Sequence, residues 1–172
     1  MTKRSLRQGL SKQSNIFPEM YLERTSFAYE ETLAHLNKTG RNPLIEAYLS
    51  QYLLVAFYAE VEERVREIIL NRLSQIEDRK VASFVFKTNE GMLKRINKSD
   101  INDVLNKFDC GEGDVISKRL DGTNLQPYFD ALANRHKVSH AQGSSMTLED
   151  VGKALSCGEV ILEAMNNAIS NE

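Results

Sequence analysis

The sequence predicts an all-α fold, a single-domain helical bundle of five to seven helices with one long central helix. Three observations lead there. Nine Gly and three Pro in 172 residues are too few chain breakers for a protein of many short strands. From Leu44 to Ile76, apolar residues recur mostly at spacings of three, four and seven, the period of a helix buried along one face. Helix-starting residues, Asn, Ser or Thr ahead of an apolar run, recur along the chain.

Each element follows in order. Residues 1–17 hold Lys3, Arg4, Arg7 and Lys12 and no acidic residue, which reads as a flexible basic N-terminal arm with RNA contact as its sharper use. The helical domain is expected over 18–172. Pro18 and Glu19 suit a first helical turn, and Met20, Phe27, Thr32 and Leu36 follow near helical spacing up to Gly40. Asn42-Pro43 reads as a cap with a first-turn Pro. The helix behind it should run about thirty residues, roughly 45 Å at ~1.5 Å per residue. Leu44, Ala47, Leu54, Tyr58, Val61, Val65 and Ile68 form its apolar side, and Glu60, Glu62, Glu63, Arg64, Arg66 and Glu67 are expected on the solvated side. Tyr52 and Tyr58 read as core residues with wet hydroxyls, and His35 as a helix-surface residue.

Residues 79–96 suit a helix interrupted near Asn89-Glu90-Gly91, with a strand over Ser83–Phe86 as the alternative. Ser99 is expected to cap a short helix whose apolar face is Ile101, Val104, Leu105 and Phe108. Cys110–Asp114 offers GxG, but no strand precedes it and acidic residues crowd it, so it reads as a turn. Asn124 should cap a helix reaching about Gln142, with Pro127 in its first turn and Gly143 as its stop. Thr147 and Asp150 form a near capping box for the last helix, with Met146 and Val151 as its hydrophobic staple.

Composition bounds the function. Forty-one per cent hydrophobic and 27% charged residues make an ordinary globular mix. The formal net charge of −2 supplies no global field for nucleic acid or anionic lipid, so any such binding needs a local patch. No apolar run approaches the ~18 residues of a membrane span, and no secretory signal follows the basic N-terminus. Cys110 and Cys157 lack CxxC spacing and read as free thiols. A cytoplasmic protein without membrane contact is expected.

Chemistry concentrates in Arg135-His136-Lys137-Val138-Ser139-His140, which holds two of the three histidines. Arg is a fixed cation whose forked donors fit phosphate. His exchanges a proton near neutral pH. Together they can cleave RNA without a metal or other cofactor: a neutral His takes the ribose 2′-hydroxyl proton, and Arg holds the charge that develops on the phosphoryl oxygens. His136 and His140 are also i and i+4, as in a zinc site. Lys137, however, stands where HExxH requires Glu, and further ligands would have to come from afar, such as His35 or Asp130. Arg135 and His140 differ by about 140° in direction on an ideal helix, so a helix end, a distortion or a second subunit must bring them together.

Arg135 and His140 with a polar residue directly after the Arg resemble the Arg-x4-His signature of the HEPN superfamily. The order of Tyr52–Glu62, Ile96–Phe108 and Arg135–Ala141 before a Thr-capped last helix is similar to its RiboL-PSP-type branch, over roughly residues 40–170. The resemblance implies a metal-independent endoribonuclease with Arg135, His140 and His136 in the site. It implies 2′,3′-cyclic phosphate products and a homodimer whose two motifs face each other in a composite active site. It also implies a role as toxin or anti-phage effector, with an antitoxin or defence protein as partner. Ser139 stands where many members carry Ala. The alternative is a catalytically silent HEPN module that binds RNA or a protein.

Overall fold

The computed structural model describes residues 20–89, 96–139 and 145–170, apart from the side chains of residues 136, 138 and 139. Seven helices and no strand are found among the described residues: α1 (Glu23–Thr39), α2 (Pro43–Leu73), α3 (Arg79–Asn89), α4 (Lys98–Lys107), α5 (Val115–Arg119), α6 (Gln126–Ser139) and α7 (Leu148–Ser170). The all-α expectation therefore holds.

The expected central helix is α2, 31 residues long. It starts where the sequence says, because the Asn42 side-chain oxygen accepts from the amides of Leu44 (3.0 Å) and Ile45 (3.3 Å) and Pro43 needs no partner for a missing N–H. Leu53, Leu54, Phe57, Val61, Val65 and Ile68 are buried along one side of it. That side faces α7, whose Val151, Ala154, Leu155, Ile161, Leu162 and Met165 are buried in return. Two such stripes removed from water supply most of the driving force, at ~1.5–3 kcal/mol for each large side chain fully buried. Gly158 lets the two helices close: a Cβ there would lie 2.8 Å from Leu22 Cδ1 and 2.9 Å from Phe57 Cε2. Helix α6 packs against both α2 and α7, α1 packs against α2, and α4 and α5 cover α7.

The last helix begins with a reciprocal box. The Thr147 hydroxyl donates to Asp150 Oδ2 (2.8 Å) and accepts from the Asp150 amide (3.2 Å), and the Thr147 amide donates to the same carboxylate (3.0 Å). Met146 and Val151 are both buried beside it, as a staple requires.

Several boundaries differ from the sequence reading. Helix α1 begins at Glu23, and Pro18 and the basic arm lie outside the described residues. Residues 83–86 are helical, not a strand. Helix α3 is the helix expected there and ends at Asn89, where the interruption was expected, although it holds no fully buried residue. Asn97, not Ser99, caps α4: its Oδ1 accepts from the Asp100 amide (3.0 Å), and the Ser99 hydroxyl donates to that same oxygen (2.7 Å). The turn at Cys110–Asp114 leads into α5, which the sequence did not reveal. Asp114 starts it by accepting from the Ser117 amide (3.1 Å) while pairing with Lys98 Nζ (2.5 Å).

Candidate active site at the end of helix α6

Two residues on one face of α6 fix it to α2. The Asn124 side chain accepts from the Gln126 amide (3.1 Å) at the helix start, with Pro127 in the first turn. Tyr128 then enters the core completely, its hydroxyl donating to the Ile96 carbonyl (2.9 Å). Its ring meets Phe57 edge-on at 5.8 Å and Phe129 at 5.2 Å, favourable orientations for aromatic quadrupoles. Burial, together with the neighbouring Tyr58, pushes the Tyr128 hydroxyl up, so it stays a neutral donor.

Arg135 comes seven residues after Tyr128, two turns on at ~3.6 residues per turn, and so on the same face. Its guanidinium carbon lies 4.1 Å from the centre of the Tyr58 ring, and the side chain is half-buried. Consecutive residues of α2, Phe57 and Tyr58, thus receive Tyr128 and Arg135. A cation over a tyrosine face at this distance is attracted by ~0.5–2 kcal/mol, depending on desolvation. Among the described residues no carboxylate is paired with Arg135. Lys137 is exposed nearby in sequence.

The other expected site residues stand differently. His136 continues α6, but its side chain is outside the described residues, and His140 lies outside them altogether. His35 is exposed on α1, as expected. Among the described residues no group of three His, Cys, Asp or Glu side chains is arranged to hold a metal ion.

Glu60 is a correction. It was expected on a solvated face, but it is 2% exposed and serves the fold. Leu22, at the N-cap of α1, offers no side-chain acceptor. The first amides of that helix go instead to carboxylates from two other helices. Glu159 of α7 accepts from Tyr21 (2.8 Å) and Leu22 (2.5 Å). Glu60 of α2 accepts from the amides of Arg24 (3.1 Å) and Thr25 (2.8 Å) and from the Thr25 hydroxyl (2.6 Å). Burial pushes the Glu60 carboxyl up, but the hydrogen bonds from Thr25 and Arg24 outweigh it, and the group ends below the usual carboxylate range. Arg24 also pairs with Glu63, and Arg64 Nε donates to the Tyr21 carbonyl (2.7 Å). The spacing held a signal: Glu60 is seven residues after Leu53 and three after Phe57, which puts it on the buried side of α2. Glu62 remains half-buried, with no role assigned.

The tyrosines also depart from expectation. Tyr58 is half-buried against the core, as expected, and also carries Arg135, whereas Tyr52, expected in the core, is 67% exposed. Ile45, Tyr48, Tyr52 and Val55, spaced three, four and three, form an exposed apolar stripe on the outer side of α2. Val55 is one turn from Tyr58, so the stripe runs beside the Arg135 platform.

A family model described as RiboL-PSP-HEPN matches residues 24–171. No curated protein and no solved structure gives a significant match to the chain. No helix among the described residues is long and apolar enough to cross a membrane.

Proposed function

The chain belongs to the RiboL-PSP-type HEPN family, and from that premise we propose that it is a metal-independent endoribonuclease acting as a toxin or anti-phage effector. One observation carries the reading: a half-buried guanidinium, Arg135, held over a ring with its charge uncancelled by any carboxylate among the described residues. Arginines that serve only the fold of this protein, such as Arg24 and Arg64, are matched with carboxylates. A cation kept in place and left uncompensated suits an anionic ligand.

The reaction assigned to the site needs few parts. Neutral His140 takes the proton of a ribose 2′-hydroxyl. The oxygen attacks the adjacent phosphorus, and the bond to the 5′-oxygen breaks. That oxygen leaves as a 5′-hydroxyl with a proton from solvent, the other fragment ends in a 2′,3′-cyclic phosphate, and the His140 imidazolium returns its proton to solvent. Arg135 holds the charge that grows on the non-bridging oxygens. His136, next to Arg135, is the auxiliary polar group.

The site is read as shared between two copies of the chain. The ~140° between Arg135 and His140 on an ideal helix favours pairing each with the other copy's residue. The exposed stripe from Ile45 to Val55 is a surface that a second copy would cover.

Incubation with total RNA and a chelator tests the proposal. Cleavage should persist in EDTA and leave cyclic phosphate ends; strict dependence on added Mg²⁺ or Zn²⁺ overturns it. Mixing Arg135→Ala and His140→Ala chains, each inactive alone, should restore part of the activity if the site is shared.

A further inference from the structure

We infer that Tyr58 is the positioning residue for the Arg135 guanidinium, which makes α2 part of the site although it contributes nothing to the Arg-x4-His motif. This inference rests on the reading of Arg135 as the phosphate-holding group.

An arginine near the end of a helix has four side-chain torsions to fix, and a phosphoryl group in a transition state tolerates little misplacement. Something must hold the guanidinium before RNA arrives. A carboxylate would hold it, but would also neutralise it and compete with the phosphate for the same donors. An aromatic face attracts the cation while leaving its full charge in place. Tyr58 provides that face, with its ring centre 4.1 Å from Arg135 Cζ.

The platform is itself well anchored. Phe57, the preceding residue, is buried against Tyr128, and Tyr128 is tied to the Ile96 carbonyl. Tyr128 and Arg135 share a face of α6 two turns apart, so the contact that locks α6 onto α2 also sets where Arg135 meets Tyr58. The attraction comes from the face of the ring. Phenylalanine should therefore replace Tyr58, whereas leucine, similar in bulk but without a π face, should not.

The experiment uses the full chain and two readouts. In NMR spectra, the Arg135 Nε–H resonance, assigned by its loss in Arg135→Lys, should be displaced upfield by the ring in wild type and in Tyr58→Phe. In Tyr58→Leu it should move to an ordinary arginine position. In RNA cleavage, Tyr58→Leu should lower kcat about tenfold with a smaller change in KM, and Tyr58→Phe should recover most of that loss. In an Arg135→Ala background, Tyr58→Leu should cost nothing further, because the residue acts through Arg135.

Wild-type kcat in Tyr58→Leu overturns the inference. So does an undisplaced Arg135 resonance in wild type, or an equal further loss in the Arg135→Ala background. Failure of the nuclease reading looks different: wild type leaves RNA intact, or Arg135→Ala cleaves at the wild-type rate. The NMR arm still decides in that case whether Tyr58 holds Arg135.

Discussion

Tyr58 and Glu60 stand two residues apart on α2 and point about 160° apart around it. They anchor opposite flanks of the bundle by opposite electrostatic means. On the Glu60 flank the arginines are matched with carboxylates and the buried carboxylate with amides. Glu60 and Glu159 take the free amides at the start of α1, Arg24 bridges Glu60 and Glu63, and Arg64 pairs with Glu67 while holding the Tyr21 carbonyl. On the Tyr58 flank a guanidinium rests on a ring with no carboxylate to match it among the described residues. The contrast separates two uses of charge. Paired charge fixes a helix end, and charge held by a neutral platform stays available to a ligand.

The comparison breaks most visibly through Arg135 and Glu60. On the proposed reading, Arg135→Ala should lower RNA cleavage by a factor of about 10²–10³, the usual effect of removing one preorganised transition-state donor. Its stability should change by no more than ~2 kcal/mol, because one partly exposed ring contact is lost. Glu60→Ala should do the reverse. It strands the Arg24 and Thr25 amides and the Thr25 hydroxyl next to the core, and should destabilise the fold by ~2–4 kcal/mol. Denaturant unfolding alongside RNA cleavage separates the two. Equal stability losses in both variants would erase the distinction.

The Glu60 flank should also carry pH dependence. Its carboxyl is held below the usual range, so its stabilisation is fully present above the unfolded carboxylate pKa of ~4.3. It is lost as pH falls through the lower, folded value. The acid dependence should be smaller in Glu60→Ala, where only other carboxylates such as Asp150 still contribute it.

A smaller effect is expected where the two flanks meet. Gly158 of α7 touches Leu22, from the Glu60 flank, and Phe57, from the Tyr58 flank. The added methyl of Gly158→Ala would come within 3 Å of both, so the Leu22 and Phe57 side chains must shift, at a cost of ~1–3 kcal/mol. Displacing Phe57 also loosens the seat of Tyr128 and, through α6, of Arg135. The variant should therefore lose activity as well as stability.

The sequence disclosed these regions unequally. The Arg135 motif is legible because both residues lie in one six-residue stretch. Asn42 and the Thr147–Asp150 pair are legible because a cap and its targets are neighbours in the chain. The Tyr58 platform and the Glu60 cap are not, since each joins residues far apart: Tyr58 with Arg135, and Glu60 with Thr25. Glu60 misleads further because a charged residue is rarely so buried unless it is paired, and its partners, two backbone amides, the Thr25 hydroxyl and the Arg24 guanidinium, lie 35 and 36 residues away. Helix α3 was ambiguous for a different reason. Its apolar residues are divided between Val85 and Phe86, packed against the core, and the exposed Val81 and Phe84, so a short strand over 83–86 could be read beside the helix. Helix α5, five residues set by Asp114, is too short for any periodicity to mark it.

The smallest predicted effect concerns how a helix start is held. Helix α7 is capped by its own residues, Thr147 and Asp150, whereas α1 is capped by two other helices. A local cap spares the surrounding packing when removed, because water can reach the exposed amides. Thr147→Ala should cost only ~1 kcal/mol, well below Glu60→Ala. Asp150 is held below its usual range by the amide and then the hydroxyl of Thr147. Its stabilisation is therefore present above the unfolded value of ~3.9 and declines as pH falls through the folded one. Thr147→Ala removes the hydroxyl but keeps the amide, so this acid dependence should shrink without vanishing. Unfolding curves between pH 2 and pH 6 measure it. A loss as large as that of Glu60→Ala would mean that the start of α7 is also held from a distance.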